Sequence, residues 1–278
     1  MLLLRPPAVA GRFYPGDPEA LRAAVAELVG GPRTPIPALA LLAPHAGYIY
    51  SGALAGLTWA SVDVPERVIL LCPNHTGEGA RRSIWPDGHW SFPGGQLEVD
   101  GELAARLADR CGLTPDTDAH RREHAIEVHL PFVHARRPGA KIVPICLAGL
   151  SLDECRAIGQ GIAATLPDFG GRTLIAASSD MSHYIAASEA RTLDGMALER
   201  FLALDPAGLY RVVRARQITM CGVIPATIAL HAAIAQGADA TRLVGYTNSG
   251  EQSGDFAHVV GYAGAIVHRR VDLPERHG

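Results

Sequence analysis

ALALLAPHAGYIYSG, residues 38–52, opens on six apolar residues and then turns to Pro, His and Gly. An apolar run without alternation is the pattern of a strand covered by helices on both faces. Pro44 has no N–H to give to a strand ladder, so the strand stops there and His45 lies just past its carboxyl end. In open α/β sheets that edge is where ligands bind. The same pattern returns in RVILLCPNHTG, residues 67–77, with His75 in the corresponding place. A third run, RTLIAASSDMSHY at 172–184, ends on Ser178, Ser179, Asp180 and His183.

Working outward, further apolar runs at 141–148, 242–248 and 258–267 read as strands. Helices are expected over 17–29, 51–61, 101–111, 125–136, 152–166, 187–204, 206–215 and 222–236, several of them entered through Asp, Ser or Pro. In 152–166 the residues Leu152, Cys155, Ile158, Ile162 and Leu166 share one face, which is read as core. This alternation gives an α/β fold class, an α/β/α sandwich with a mostly parallel or mixed central sheet. No repeat or long linker divides the 278 residues, so one domain over 1–278 is expected. Residues 80–98, with the turn Pro86-Asp87-Gly88, read as a hairpin or an extended excursion from the sheet, with His89 structural or exposed. Residues 30–38 read as a short connection, and DLPERHG at the end as a frayed tail.

With 48% hydrophobic and 19% charged residues the composition is ordinary for a globular chain. The net charge of −3, a single lysine (Lys141) and no basic run longer than two speak against nucleic acid as a partner. The opening MLLL is too short for a secretory apolar region or a membrane span, so a cytoplasmic setting away from membranes is expected. Five cysteines without CxxC spacing suggest neither a disulfide framework nor a cysteine-only zinc knuckle, and Cys72, Cys111, Cys146 and Cys155 read as buried fillers. GxSxG, Walker-type and dinucleotide GxGxxG signatures are missing.

His45 and His75 at successive strand ends suit metal ligation or acid–base work, against the plainer reading of structural hydrogen bonding. Asp180 can orient an imidazole, and His183 can be a ligand or a proton-transfer group. The alternative there is a helix N-cap made by Asp180 or Ser182. REHAIEVHLPF at 122–132 carries Glu123, His124, Glu127 and His129 around a helix start, without the HExxH zinc-protease spacing. On a regular helix His124 and Glu127 share a face, whereas His124 and His129 diverge by about 140°. A supporting role behind the pocket for His124, Glu127 and His129 competes with a solvated charged face. Cys221, followed by Gly222 and an apolar helix, is read as a ligand or nucleophile that a helix N-terminus would stabilise as thiolate, against another filler.

AGRFYPGDPEAL, LLAPHAGYIYSG, LCPNHTG, REHAIEVHLPF, SSDMSHY, MCGVIPATIAL and GYTNSGE together resemble the Memo-like proteins, the AmmeMemoRadiSam system protein B of prokaryotes. The resemblance runs in order over nearly the whole chain. It implies a fold similar to class III extradiol dioxygenases, with metal ligands falling on His45, His75 and Cys221 and with Asp180 and His183 close by as catalytic residues. It also implies radical-SAM and AMME-type partner proteins. The chain departs from the animal relatives at Val223, where they carry a basic residue. A thiolate in place of the dioxygenases' carboxylate argues against catechol ring cleavage and admits Fe(II) first, with Cu(I) and Zn(II) behind it. Three functions compete: a metal-dependent oxidoreductase acting on a small molecule, a copper- or iron-handling protein, and a non-catalytic module binding a peptide or protein in the same pocket.

Overall fold

The computed structural model describes residues 3–31 and 34–270, so the tail DLPERHG, Pro32 and Arg33 of the 30–38 connection, and the first two residues lie outside the described residues. The strands are β1 (Leu4–Arg5), β2 (Ala38–Ala43), β3 (Arg67–Pro73), β4 (Arg82–Ile84), β5 (His89–Phe92), β6 (Gly95–Val99), β7 (Thr114–Pro115), β8 (Lys141–Leu147), β9 (Thr173–Ser178), β10 (His183–Ile185), β11 (Ala240–Asn248) and β12 (Val259–His268). The helices are α1 (Pro18–Leu28), α2 (Ala53–Ala60), α3 (Gly101–Cys111), α4 (Asp118–Arg121), α5 (Leu130–Arg136), α6 (Leu152–Thr165), α7 (Ala187–Leu202), α8 (Pro206–Ala215), α9 (Val223–Ala235) and α10 (Gly250–Ser253).

One mixed sheet runs in the order β1-β5-β6-β8-β3-β9-β2-β12-β10, with β11 on β12 and β4 on β8. Its centre, β8-β3-β9-β2, is parallel throughout. β12 closes antiparallel on β2, and β11 antiparallel on β12. The pleat explains the unbroken apolar runs. Ala40, Leu42, Ile69 and Leu71 face one core, which α3, α6, α8 and α9 cover. Leu41, Ala43, Val68 and Leu70 face the other, under α1, α2 and α5. The expected α/β/α layering is therefore what forms.

Two expectations are corrected. Residues 80–98 do contain a hairpin, β5 with β6, but it turns at Pro93-Gly94 and not at Pro86-Asp87-Gly88, and the segment does not leave the sheet, since β4 pairs antiparallel and β6 parallel with β8. Trp90, Leu97 and Val99 alternate into the core, so burial holds the hairpin against the sheet edge. The helix expected over 125–136 begins only at Leu130, after a 3₁₀ turn over Glu127–His129. Pro131 sets that start, because a residue without an N–H is accommodated in a helix's first turn. With no regular helix over 124–129, the shared face of His124 and Glu127 and the solvated charged face are both lost. Glu123, Glu127 and His129 are buried.

That irregular segment is held from the amino-terminal arm. Arg5, fully buried, pairs with Glu127 and donates to the carbonyls of His120 (3.0 Å) and Glu123 (2.6 Å), with its guanidinium over the Trp90 ring. Glu127 also accepts from the backbone N–H groups of Ala8 and Val9 and from the Tyr14 hydroxyl. Its carboxylate faces the arm, not the pocket expected from sequence. Replacing Arg5 by Met removes one partner and strands a buried carboxylate. Chemical denaturation should show a loss of about 3–5 kcal/mol.

Candidate metal centre

The ladder places Ala43 beside Ser178 and Leu71 beside Ala177, so β2, β9 and β3 end side by side. The residue after each end is committed to the same space. His45 follows Pro44, His75 follows Pro73-Asn74, and the β9 exit carries Ser179 and Asp180. Across from them Cys221 enters ahead of α9. Gly222 permits this approach, since a Cβ there would meet the Ser178 carbonyl at 2.4 Å and the Ser179 side chain. The Gly222 N–H donates to Ser179 Oγ at 2.9 Å, which ties the α9 entry to the β9 exit.

One ligand atom each from His45, His75 and Cys221 lies within 4.8 Å of the others, and Cys221 Sγ is 3.2 Å from His45 Nε2. Both imidazoles are held from behind. His45 Nδ1 lies 2.6 Å from Ser178 Oγ. His75 Nδ1 is 2.8 Å from Glu123 Oε1, while the His75 backbone N–H donates to Oε2 at 2.6 Å. Glu123 was not among the residues singled out for the site; a strand-end imidazole's need for an acceptor was the signal that could have found it. His124 stacks on His75 with ring centroids 4.8 Å apart, and His75, Glu123 and His124 form a second cluster of donors. His129 lies deeper, with Nε2 at 2.9 Å from Ser178 Oγ and the Trp59 indole N–H donating to Nδ1.

Asp180 and His183 line the same cavity, about 650 Å³ in volume, together with Phe13, Tyr50, Tyr184 and Tyr262. They are anchored separately. Asp180 accepts from the His45 N–H at 2.8 Å and stands 4.0 Å from His45 Nε2. His183 is held at Nδ1, 3.0 Å from the Thr219 carbonyl, and by its backbone N–H on Thr219 Oγ1. The SSDMSHY turn leads into β10 instead of a helix, so the N-cap alternative does not form.

Burial dominates the protonation states. It drives His45 well below the usual imidazole range, aided by His124 and His75. It lowers His124 to about 4 and His129 to about 3. At His75 burial opposes the charge, but the Glu123 carboxylate wins and the pKa rises. Burial lifts Asp180 to about 7 against the pull of its backbone hydrogen bonds. It also raises the Cys221 thiol, with Asp180 adding to the effect, so the expected helix-stabilised thiolate is outweighed. A thiolate there requires a cation in place of the proton. Two imidazoles and one thiol in mutual reach, the imidazoles lining a cavity and held by acceptors behind them, fit a transition metal.

A family model described as Memo-like protein matches residues 5–266. The chain belongs to the Memo-like family. A MEMO1 family protein of Methanopyrus kandleri is 41% identical, over 96% of this chain and 99% of that protein. One from Aquifex aeolicus is also 41% identical, over 95% and 98%. Among solved structures, an uncharacterized protein of Escherichia coli K12 superposes with a TM-score of 0.54 at 14% identity, over 82% of this Memo-like chain and 98% of that one, a likeness of fold alone. Among the described residues no helix is long and apolar enough to cross a membrane.

Glu123→Gln leaves His75 without its carboxylate, and calorimetric titration with Zn(II) should show affinity about 10–100-fold weaker. A second outcome concerns acid. His120, packed between Trp85 and Trp90, is lowered to about 3 by burial, as are His124 and His129 to the values above. These imidazoles stay neutral when folded and take up protons when unfolded, so their stabilisation is complete above pH 6.5 and lost as pH falls toward 3. Urea midpoints of the metal-free protein should fall across that window. His120→Phe should flatten the slope by up to about 1.4 kcal/mol per pH unit.

Proposed function

We propose that this Memo-like chain is a metal-dependent oxidoreductase that holds Fe(II) through His45, His75 and Cys221 and acts on a small substrate in the adjoining cavity. The observation that supports this most is the meeting of two nitrogens and one sulfur within 4.8 Å of one another, with His45 and His75 lining a cavity of about 650 Å³. A cavity of that size is in the range of small-molecule sites, and a protein that only stored metal would not need it. The bound metal would supply Lewis acidity and one-electron chemistry toward dioxygen or the substrate.

The chain's own side chains do the rest. Glu123 holds the His75 ring at Nδ1, so Nε2 remains to face a ligand. Cys221 would hold the metal through its sulfur as the thiolate, its proton leaving to solvent. Asp180, with a carboxyl titrating at about 7, can carry a proton in or out of the site near neutrality. His183, anchored through Nδ1 on Thr219, keeps Nε2 as a proton acceptor on the cavity side. His124 and the aromatic side chains Phe13, Tyr50 and Tyr262 shape the space for substrate. The cytoplasmic setting and the radical-SAM and AMME-type partners belong to this same reading.

The soft sulfur of Cys221 favours a second reading, a protein that handles copper or iron without turnover. Anaerobic purification followed by mass spectrometry of bound metals separates the two. Near-stoichiometric iron is expected in the wild type and its loss in His45→Ala, His75→Ala and Cys221→Ala, with oxygen consumed when substrates are screened. Tight copper or iron without turnover points to the handling protein. A folded wild type that holds no metal after reconstitution overturns both.

A further inference from the structure

Three side chains behind the site, Trp59, His129 and Ser178, form with His45 a chain of hydrogen bonds whose direction can be deduced from donors and acceptors alone. The Trp59 indole can only donate, and its Nε1–H points at His129 Nδ1 from 3.1 Å. His129 Nδ1 therefore carries a lone pair, and its single proton sits on Nε2, 2.9 Å from Ser178 Oγ. The Ser178 hydroxyl is 2.6 Å from the carbonyl of Ala125, which can only accept. Its one proton is committed there, and its two lone pairs remain for two N–H groups. The His129 Nε2–H fills the first, and His45 Nδ1, at 2.6 Å, must fill the second as an N–H.

We infer that Trp59, His129 and Ser178 are positioning residues that fix the proton of His45 on Nδ1 and so keep its Nε2 lone pair turned toward Cys221. The opposite arrangement would aim the Ser178 oxygen's lone pair at the Ala125 carbonyl oxygen and put a proton between His45 Nε2 and Cys221 Sγ, which are 3.2 Å apart. Trp59, Ala125, His129, Ser178 and His45 are buried, so their donors and acceptors are matched to one another. His45 and His75 reach the same tautomer by different means. His75 has the Glu123 carboxylate behind it, whereas His45 has a neutral hydroxyl whose acceptor role is imposed by a backbone carbonyl.

The proton positions stand without any metal, and only their consequence rests on the proposed function. They are read by long-range ¹H–¹⁵N correlation of histidine-labelled, metal-free protein at neutral pH. In the wild type both His45 and His75 should be protonated at Nδ1. In Ser178→Ala, His45 should lose that single tautomer while His75, held by Glu123, keeps it, and Zn(II) affinity should fall about 10–100-fold. A purely structural role for Ser178 would leave the His45 tautomer untouched. Trp59→Phe should free the His129 proton to move to Nδ1, visible in the same spectrum. Protonation of His45 at Nε2 in the wild type overturns the inference even if the variants do not fold, as does an unchanged His45 signal in a folded Ser178→Ala protein. Tautomers as expected in a protein that binds no Zn(II) would sustain the inference and overturn the metal reading.

Discussion

Glu127 is a charged group with no access to solvent, and the fold is arranged so that it never lacks a partner. Arg5 neutralises it, and two backbone N–H groups and a tyrosine hydroxyl complete its hydrogen bonds. An ion pair of this kind adds little net stability compared with an apolar pair, but breaking it is costly, so it specifies geometry strongly. Here the geometry specified is that of the end of α4 and of residues 122–129, which run without regular α-helix up to α5. Through that stretch the arm beginning at Arg5 sets where Glu123 meets His75, where the Ala125 carbonyl meets Ser178, and where His129 meets Trp59. The site thus has two supports. The ends of parallel strands bring its ligand atoms together, and a clamped loop orients them.

The two histidines differ in electrostatic setting. His75 is backed by a carboxylate and exposed enough to keep some hydration, which makes it the more basic imidazole. His45 is sealed among other imidazoles and backed by a hydroxyl, so it stays neutral. Burial raises the cost of ionising both Cys221 and Asp180, and the Asp180 carboxylate adds to it at Cys221. A divalent cation would offset the cost of the two anionic forms together, while the neutral imidazoles would serve as its nitrogen donors.

How much of this was legible in the sequence follows from which physical effects are local. Strands β2, β3, β8 and β9 could be read because burial on both faces leaves no alternation to confuse, and Pro44 and Pro73 mark where two of them stop. The convergence of His45, His75 and the Asp180 segment followed from the same strand ends. The short strands β4 to β7 were not legible as part of the sheet, since β4 and β6 pair with β8, tens of residues away, and β7 and β5 join the sheet through β4 and β6. Glu127 was misassigned for a related reason: three residues from His124, it suggested a shared helix face, but a salt bridge to Arg5 at the other end of the arm overrode local periodicity. Glu123 stood in plain view beside His124, yet only tertiary structure shows that it turns to His75. The structure leaves Cys221 where the sequence placed it, ahead of a helix, but burial decides its protonation.

The separation of these partners along the chain has a consequence for biosynthesis. Arg5 leaves the ribosome first and meets Glu127 only 122 residues later, and His45 meets Cys221 after 176. The clamp can therefore close only after Glu127 has been made, and the third donor reaches its neighbours only after Cys221 has followed. Such long loops close slowly, because their entropy is lost before any contact forms. A nascent chain presents isolated imidazoles with little grip on a metal ion, and His45, His75 and Cys221 can meet only once residue 221 has been made, after the parallel strands β2, β3, β8 and β9 but before β11 and β12.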